Sequence, residues 1–185
     1  MDPPSDDELI LEVKHQSAMR AGELSLLLGE LARDYQRFRR GHELMVAGLN
    51  EGHGIVLRAA LDGAAGAKLQ TFGKRLARLL GLALGGSYSS RKIGARTIET
   101  LTKLAAAGES AWELRYRGRK GERLLLTLTP GEAQTVQQHI GEAKQRQREI
   151  AAAKKEDRAR WPAATPSSDE ELRAILSQWT NQAEE

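Results

Sequence analysis

Three clusters of cations dominate the chemistry available to this chain. Lys74, Arg75 and Arg78 form one, Arg91, Lys92 and Arg96 a second, and Arg115, Arg117, Arg119, Lys120 and Arg123 a third. Lys and Arg side chains at such density neutralise phosphates and release the counterions condensed on them. From Lys68 to Arg123 there are thirteen Lys and Arg against four Asp and Glu, while the whole chain carries a net charge of only +3. The flanks offset the excess: residues 1–50 sum to −3 and residues 161–185 to −4. A basic centre between acidic arms is the electrostatic footprint of a polyanion-binding surface.

The elements that must position these cations are read from periodicity and punctuation. Ser5-Asp6-Asp7-Glu8 fits a capping box, with Leu9, Ile10 and Val13 behind it at helical spacing. Leu24, Leu28, Leu31, Tyr35 and Phe38, continued by His42 and Met45, step by four and three, the period of a coiled-coil seam. Residues 1–50 are therefore expected to form a long N-terminal helix. Its seam serves either packing on its own domain or oligomerisation. A short helix is expected at 55–61, a second at 67–84 ended by Gly85-Gly86, and a third at about 92–107. The alternation in Ala111–Tyr116 and Arg123–Leu128, around a glycine-containing turn, predicts a β-hairpin. Thr129-Pro130-Gly131-Glu132 then opens a charged long helix over 129–158, read as a solvated arm rather than a core element.

Residues 159–185 are expected to be a linker and a short amphipathic tail helix. Leu172, Ile175, Leu176 and Trp179 make its apolar face, which is too small to fold alone. That face can dock on its own domain or on a protein partner, and the acidic tail can also screen the basic centre.

Three helices followed by a hairpin, over 54–128, match the element order of a winged helix, so the expected fold class is mainly α with one β-hairpin: a winged-helix-like unit flanked by long helices. In that architecture Ser89, Ser90, Arg91, Lys92 and Arg96 open the recognition helix, and the five hairpin cations lie along the adjacent backbone. The stretch Phe72-Gly73-Lys74-Arg75-Leu76-Ala77-Arg78-Leu79-Leu80, then Gly85-Gly86, then Trp112-Glu113-Leu114, resembles the winged-helix modules of phage and plasmid replication-associated proteins. The resemblance implies duplex DNA as the ligand, and a phage, plasmid or defence-system setting.

Other chemistries find little support. The histidines, His15, His42, His53 and His139, share no i, i+4 spacing, and there is no cysteine, so neither a metal site nor a cofactor is expected. No Ser/His/Asp grouping supports catalysis. The apolar fraction is 40%, and the longest run of apolar and glycine residues, Leu79 to Gly86, is far short of the ~18 residues a membrane span needs. The reading is a cytoplasmic, non-enzymatic DNA-binding protein, with DNA favoured over RNA, oligomerised by the N-terminal helix. The alternative is a structural or adaptor subunit of a larger assembly.

Overall fold

The computed structural model describes residues 7–14, 20–40, 42–49, 54–59, 66–108, 110–160 and 173. In chain order the elements are β1 (Glu8–Lys14), α1 (Ala21–Phe38), β2 (Leu44–Leu49), β3 (Ile55–Ala59), α2 (Gly66–Leu84), α3 (Ala95–Gly108), β4 (Ala111–Gly118), β5 (Gly121–Leu128) and α4 (Pro130–Arg160). The chain divides into two units, 1–143 and 144–185. The first holds every element except the second half of α4. Among the described residues no helix is long and apolar enough to cross a membrane.

The five strands form one antiparallel sheet in the order β2-β3-β1-β4-β5. This overturns the expectation of a mainly α chain with one hairpin, and with it the winged-helix-like unit. The segment read as one long N-terminal helix contains β1, α1 and β2. Glu8, read as a capping residue, begins a strand, and the short helix expected at 55–61 is strand β3.

The physical reason lies in the position of β1. It is the central strand, with a hairpin paired on each side. Leu9 and Leu11 enter the helix-side core, while Ile10, directly between Val56 and Arg115 in the register, is buried on the other face. A strand buried on both faces loses strict polar alternation and reads as a continuous apolar run.

Helix α2 lies across the helix-side face, in contact with β3, β1, β4 and β5. Its Leu69, Phe72, Leu76 and Leu80 are buried together with Leu9, Leu57, Trp112, Leu114 and Leu126. Burying each such side chain contributes about 1.5–3 kcal/mol, so this stripe fixes which side of α2 is left for solvent. The helix ends as its Gly85-Gly86 pair predicts. Gly86 has φ 77°, its N–H donates to the Ala83 carbonyl at 3.1 Å, and the Ser87 N–H donates to the Leu82 carbonyl at 2.8 Å.

The seam residues of α1 face the same core. Leu31 and Tyr35 are buried, and Leu24, Leu28 and Phe38 pack partly against it. An oligomer built on that seam would first have to unpack it. Helix α3, the expected recognition helix, is enclosed as well: Thr97, Ile98, Leu101, Thr102 and Ala105 are buried. It contacts α1 and α2, and Gln137 of α4 donates to the Glu99 carbonyl at 3.1 Å and also bonds the Thr102 hydroxyl. The face it leaves to solvent is a narrow stripe of Arg96, Thr100, Lys103 and Ala107, and Lys103 is held by Glu99 at 3.1 Å.

The charged helix opens with the predicted reciprocal cap. Thr129 N–H donates to Glu132 Oε2 at 2.9 Å, and Glu132 N–H donates to Thr129 Oγ1 at 3.3 Å. The expectation of a solvated arm fails for the first turns of α4, where Ala133, Val136 and Ile140 are core residues. It describes residues 145–159, which are exposed.

Candidate nucleic-acid interface

Strand alternation sorts the hairpin cations onto two faces. Arg115 and Arg117 point to the face of the sheet away from the helices, along with Glu113, and the register brings Glu8 and Glu12 of β1 and Glu122 of β5 beside them. Arg115 lies 2.5 Å from Glu113, 2.9 Å from Glu122 and 3.5 Å from Glu12. Arg117 bridges Glu8 and Glu122 at 3.1 Å each. Arg58 bonds the other oxygen of Glu8, and Lys14 reaches Glu12 at 2.8 Å and Glu113 at 3.5 Å. Four carboxylates and four cations thus close a neutral lattice. The hydrogen bond from Arg115 holds the Glu113 and Glu122 carboxyls below the usual range. These two arginines are tied up by carboxylates and are poor candidates for phosphate contact.

The cations of α2 have a different fate. With residues 69, 72, 76 and 80 buried, Thr71, Lys74, Arg75 and Arg78 fall on the outward stripe. They line an open groove of about 490 Å³, completed by Lys92 from the turn before α3 and by Phe38, Leu79 and Leu82. Arg75 is oriented by two contacts: its Nε donates to the Ile93 carbonyl at 3.2 Å, and its guanidinium carbon lies 5.9 Å from the Phe38 ring centroid. Phe38 is itself fixed against Phe72, with ring centroids 5.5 Å apart. Among the described residues Lys74, Arg78 and Lys92 have no carboxylate partner.

Arg119, Lys120 and Arg123 form a second site at the hairpin tip. Arg119 and Lys120 occupy the two-residue turn, whose closing Gly121 has φ 101°, a conformation that L side chains rarely adopt. Arg123 pairs with Tyr116 and shares its helix-side face. These three cations line a groove of about 380 Å³ with Asp7, Gln70 and Tyr116. Burial, and then the hydrogen bond to the Asp7 carboxylate, push the Tyr116 hydroxyl up to about 12, so it remains a donor at neutral pH. Arg119 and Lys120 are exposed and without a carboxylate partner among the described residues.

Comparison of the chain with protein-family models, with curated proteins and with solved structures finds no match. The site is therefore read from its own geometry.

Of the thirteen predicted contact residues, the structure brings Lys74, Arg75, Arg78 and Lys92 into one groove and Arg119, Lys120 and Arg123 into another. Arg115 and Arg117 are diverted into the lattice. Ser89, Ser90, Arg91 and Arg96 lie in the α2–α3 turn and at the start of α3, and line neither of these grooves. Phe38, Gln70, Thr71 and Tyr116 belong to the grooves but were not read as contact residues from the sequence. Thr71 was within reach, since it lies one turn before Lys74 and Arg75 on the same helical stripe. The tail residues Leu172, Ile175, Leu176 and Trp179 lie outside the described residues. Among the described residues no group of three or more His, Cys, Asp or Glu is placed to hold a metal ion.

Proposed function

We propose that the protein is a non-enzymatic nucleic-acid-binding protein of the cytoplasm, and that its α2 groove is the primary contact. The observation that carries this reading is the segregation of charge. Lys74, Arg78 and Lys92 line one groove with no carboxylate beside them among the described residues, while the equally basic far face of the sheet is neutralised pair by pair. Side chains that neutralised each other would gain little from a phosphate. Those in the groove gain its full charge-assisted hydrogen bonds. The proposal keeps the class of ligand expected from the sequence and replaces the winged-helix contact by a groove.

The test is fluorescence anisotropy of labelled oligonucleotides across a salt series. Binding should weaken as salt rises, and the triple variant Lys74→Ala, Arg78→Ala, Lys92→Ala should lose roughly two to three units of log–log salt slope, at ~0.7–0.9 per phosphate contact. A wild-type protein that binds no nucleic acid at low salt, or a triple variant that binds as tightly as wild type, would overturn it.

The second reading, a structural or adaptor subunit, is favoured by edge strand β2. Its Met45 and Val46 are 46% and 57% exposed, which among the described residues leaves an apolar, unpaired strand edge for another chain. Light scattering on wild type and on a Val46→Lys variant separates the readings: a subunit or homo-oligomer built on this edge would dissociate.

A further inference from the structure

We infer that the α2 groove and the hairpin-tip groove are two ends of one track, and that the track takes a single strand of nucleic acid rather than a duplex. The inference rests on the proposed function and adds to it the form of the ligand and a second contact region.

Continuity follows from helix geometry. Gln70 lines the tip groove, and its neighbour Thr71 lines the α2 groove. Lys74 is four residues after Gln70 and three after Thr71, so on the helix surface its side chain neighbours both and bridges the two grooves. From Gln70 to Arg78 the axis advances ~12 Å at 1.5 Å per residue, enough for roughly four nucleotides of a strand stacked at ~3.4 Å each. Lys92 extends the cationic surface at one end, and Arg119, Lys120 and Arg123 extend it at the other.

The preference for a single strand follows from what lies between the cations. Phe38, Leu79 and Leu82 form part of the wall of the α2 groove, and all three are only half-buried. A duplex shields its bases and presents sugars and phosphates, which would meet the cations on the rim and leave this wall unpaired. A strand with free bases can place phosphates on Lys74, Arg78 and Lys92 and turn bases onto the apolar wall. Cationic tracks with apolar or aromatic platforms hold single strands in this way.

The experiment uses the full chain and competes four ligands of equal phosphate number at one salt concentration: oligo-dT, oligo-U, an abasic phosphodiester strand and a short duplex. Oligo-dT or oligo-U should outcompete duplex by about fivefold or more, and the abasic strand should bind about tenfold more weakly than oligo-dT, the loss expected from about one stacked base. The relative order of oligo-dT and oligo-U distinguishes DNA from RNA. In a length series, Arg119→Ala with Lys120→Ala should weaken a twelve-nucleotide strand about tenfold and leave a three-nucleotide strand unchanged. Duplex preferred to single strand, an abasic strand equal to oligo-dT, or a tip variant with unchanged affinity for the long strand would each overturn the inference while nucleic-acid binding itself stands. Absence of all binding would overturn both.

Discussion

Asp34 of α1 accepts two hydrogen bonds from Thr97 of α3: one carboxylate oxygen lies 3.1 Å from the Thr97 backbone nitrogen and 2.8 Å from its hydroxyl. Asp34 is 1% exposed. Thr97 is in the first turn of α3, where backbone N–H groups lack intrahelical partners and the helix dipole favours an anion. A carboxylate from another helix thus caps α3 and fixes it against α1. That contact holds in place the α2–α3 turn from which Lys92 enters the groove.

Removing this cap should be costly. Asp34→Ala leaves a buried N–H and hydroxyl unsatisfied, and a loss of about 2–3 kcal/mol is expected in urea unfolding. Asp34→Asn keeps an acceptor and should lose less. Equal stability of Asp34→Ala and wild type would refute the role given to this carboxylate.

The ion-pair lattice on the far face of the sheet should appear as an acid-sensitive stability. Glu113 and Glu122 have folded-state pKa values depressed below their ordinary value of 4.5, chiefly through hydrogen bonds from Arg115. A depressed pKa means that the stabilisation is fully present above the unfolded value and is lost as pH falls through the folded one. Unfolding midpoints in urea should therefore hold steady from neutral pH down to about 5 and fall below it. The double variant Glu113→Gln, Glu122→Gln should be less stable at neutral pH and show a flatter decline.

Two helix ends offer local tests. Gly86→Ala forces a Cβ into φ 77° at the end of α2 and should cost about 1–2 kcal/mol. Thr129→Ala removes the reciprocal cap of α4 and should cost about 1 kcal/mol. Thermal denaturation reads both, and a Thr129→Ser variant, which keeps the hydroxyl, should recover most of the second loss.

Asp7 provides a gain-of-affinity test of the tip groove. Among the described residues it is the one carboxylate in the lining there, and its charge opposes an incoming phosphate. Asp7→Asn retains an acceptor for the Tyr116 hydroxyl and removes the charge, so nucleic-acid affinity should rise by roughly threefold, or ~0.6 kcal/mol. Unchanged or weaker binding would indicate that the ligand does not reach the hairpin tip.

Local signals in the sequence specified the parts whose formation depends on neighbours in the chain. The α2 stripe, the Gly85-Gly86 stop, the β4–β5 hairpin and the Thr129–Glu132 cap are each written within about twenty residues. Their physics is correspondingly local: periodicity, a left-handed glycine, a tight turn and a side chain reaching its own helix end. The concentration of cations between Lys68 and Arg123 was equally plain.

Only the tertiary structure decided what those parts do for one another. Leu9-Ile10-Leu11 becomes a central strand because two distant hairpins pair with it, and β-pairing over such separations leaves no reliable mark on a seven-residue segment. The same pairing sets Glu8 and Glu12 beside Arg115 and Arg117, where the hairpin register already places Glu122, and so cancels their charge, although all the hairpin cations look alike in sequence. Phe38, far from α2 along the chain, and Lys92, in the turn that follows α2, complete its groove because packing of α1 and α3 carries them there. Charge count is a property of composition. Free charge is a property of which carboxylates the fold brings within about 4 Å, and long-range pairing settles that.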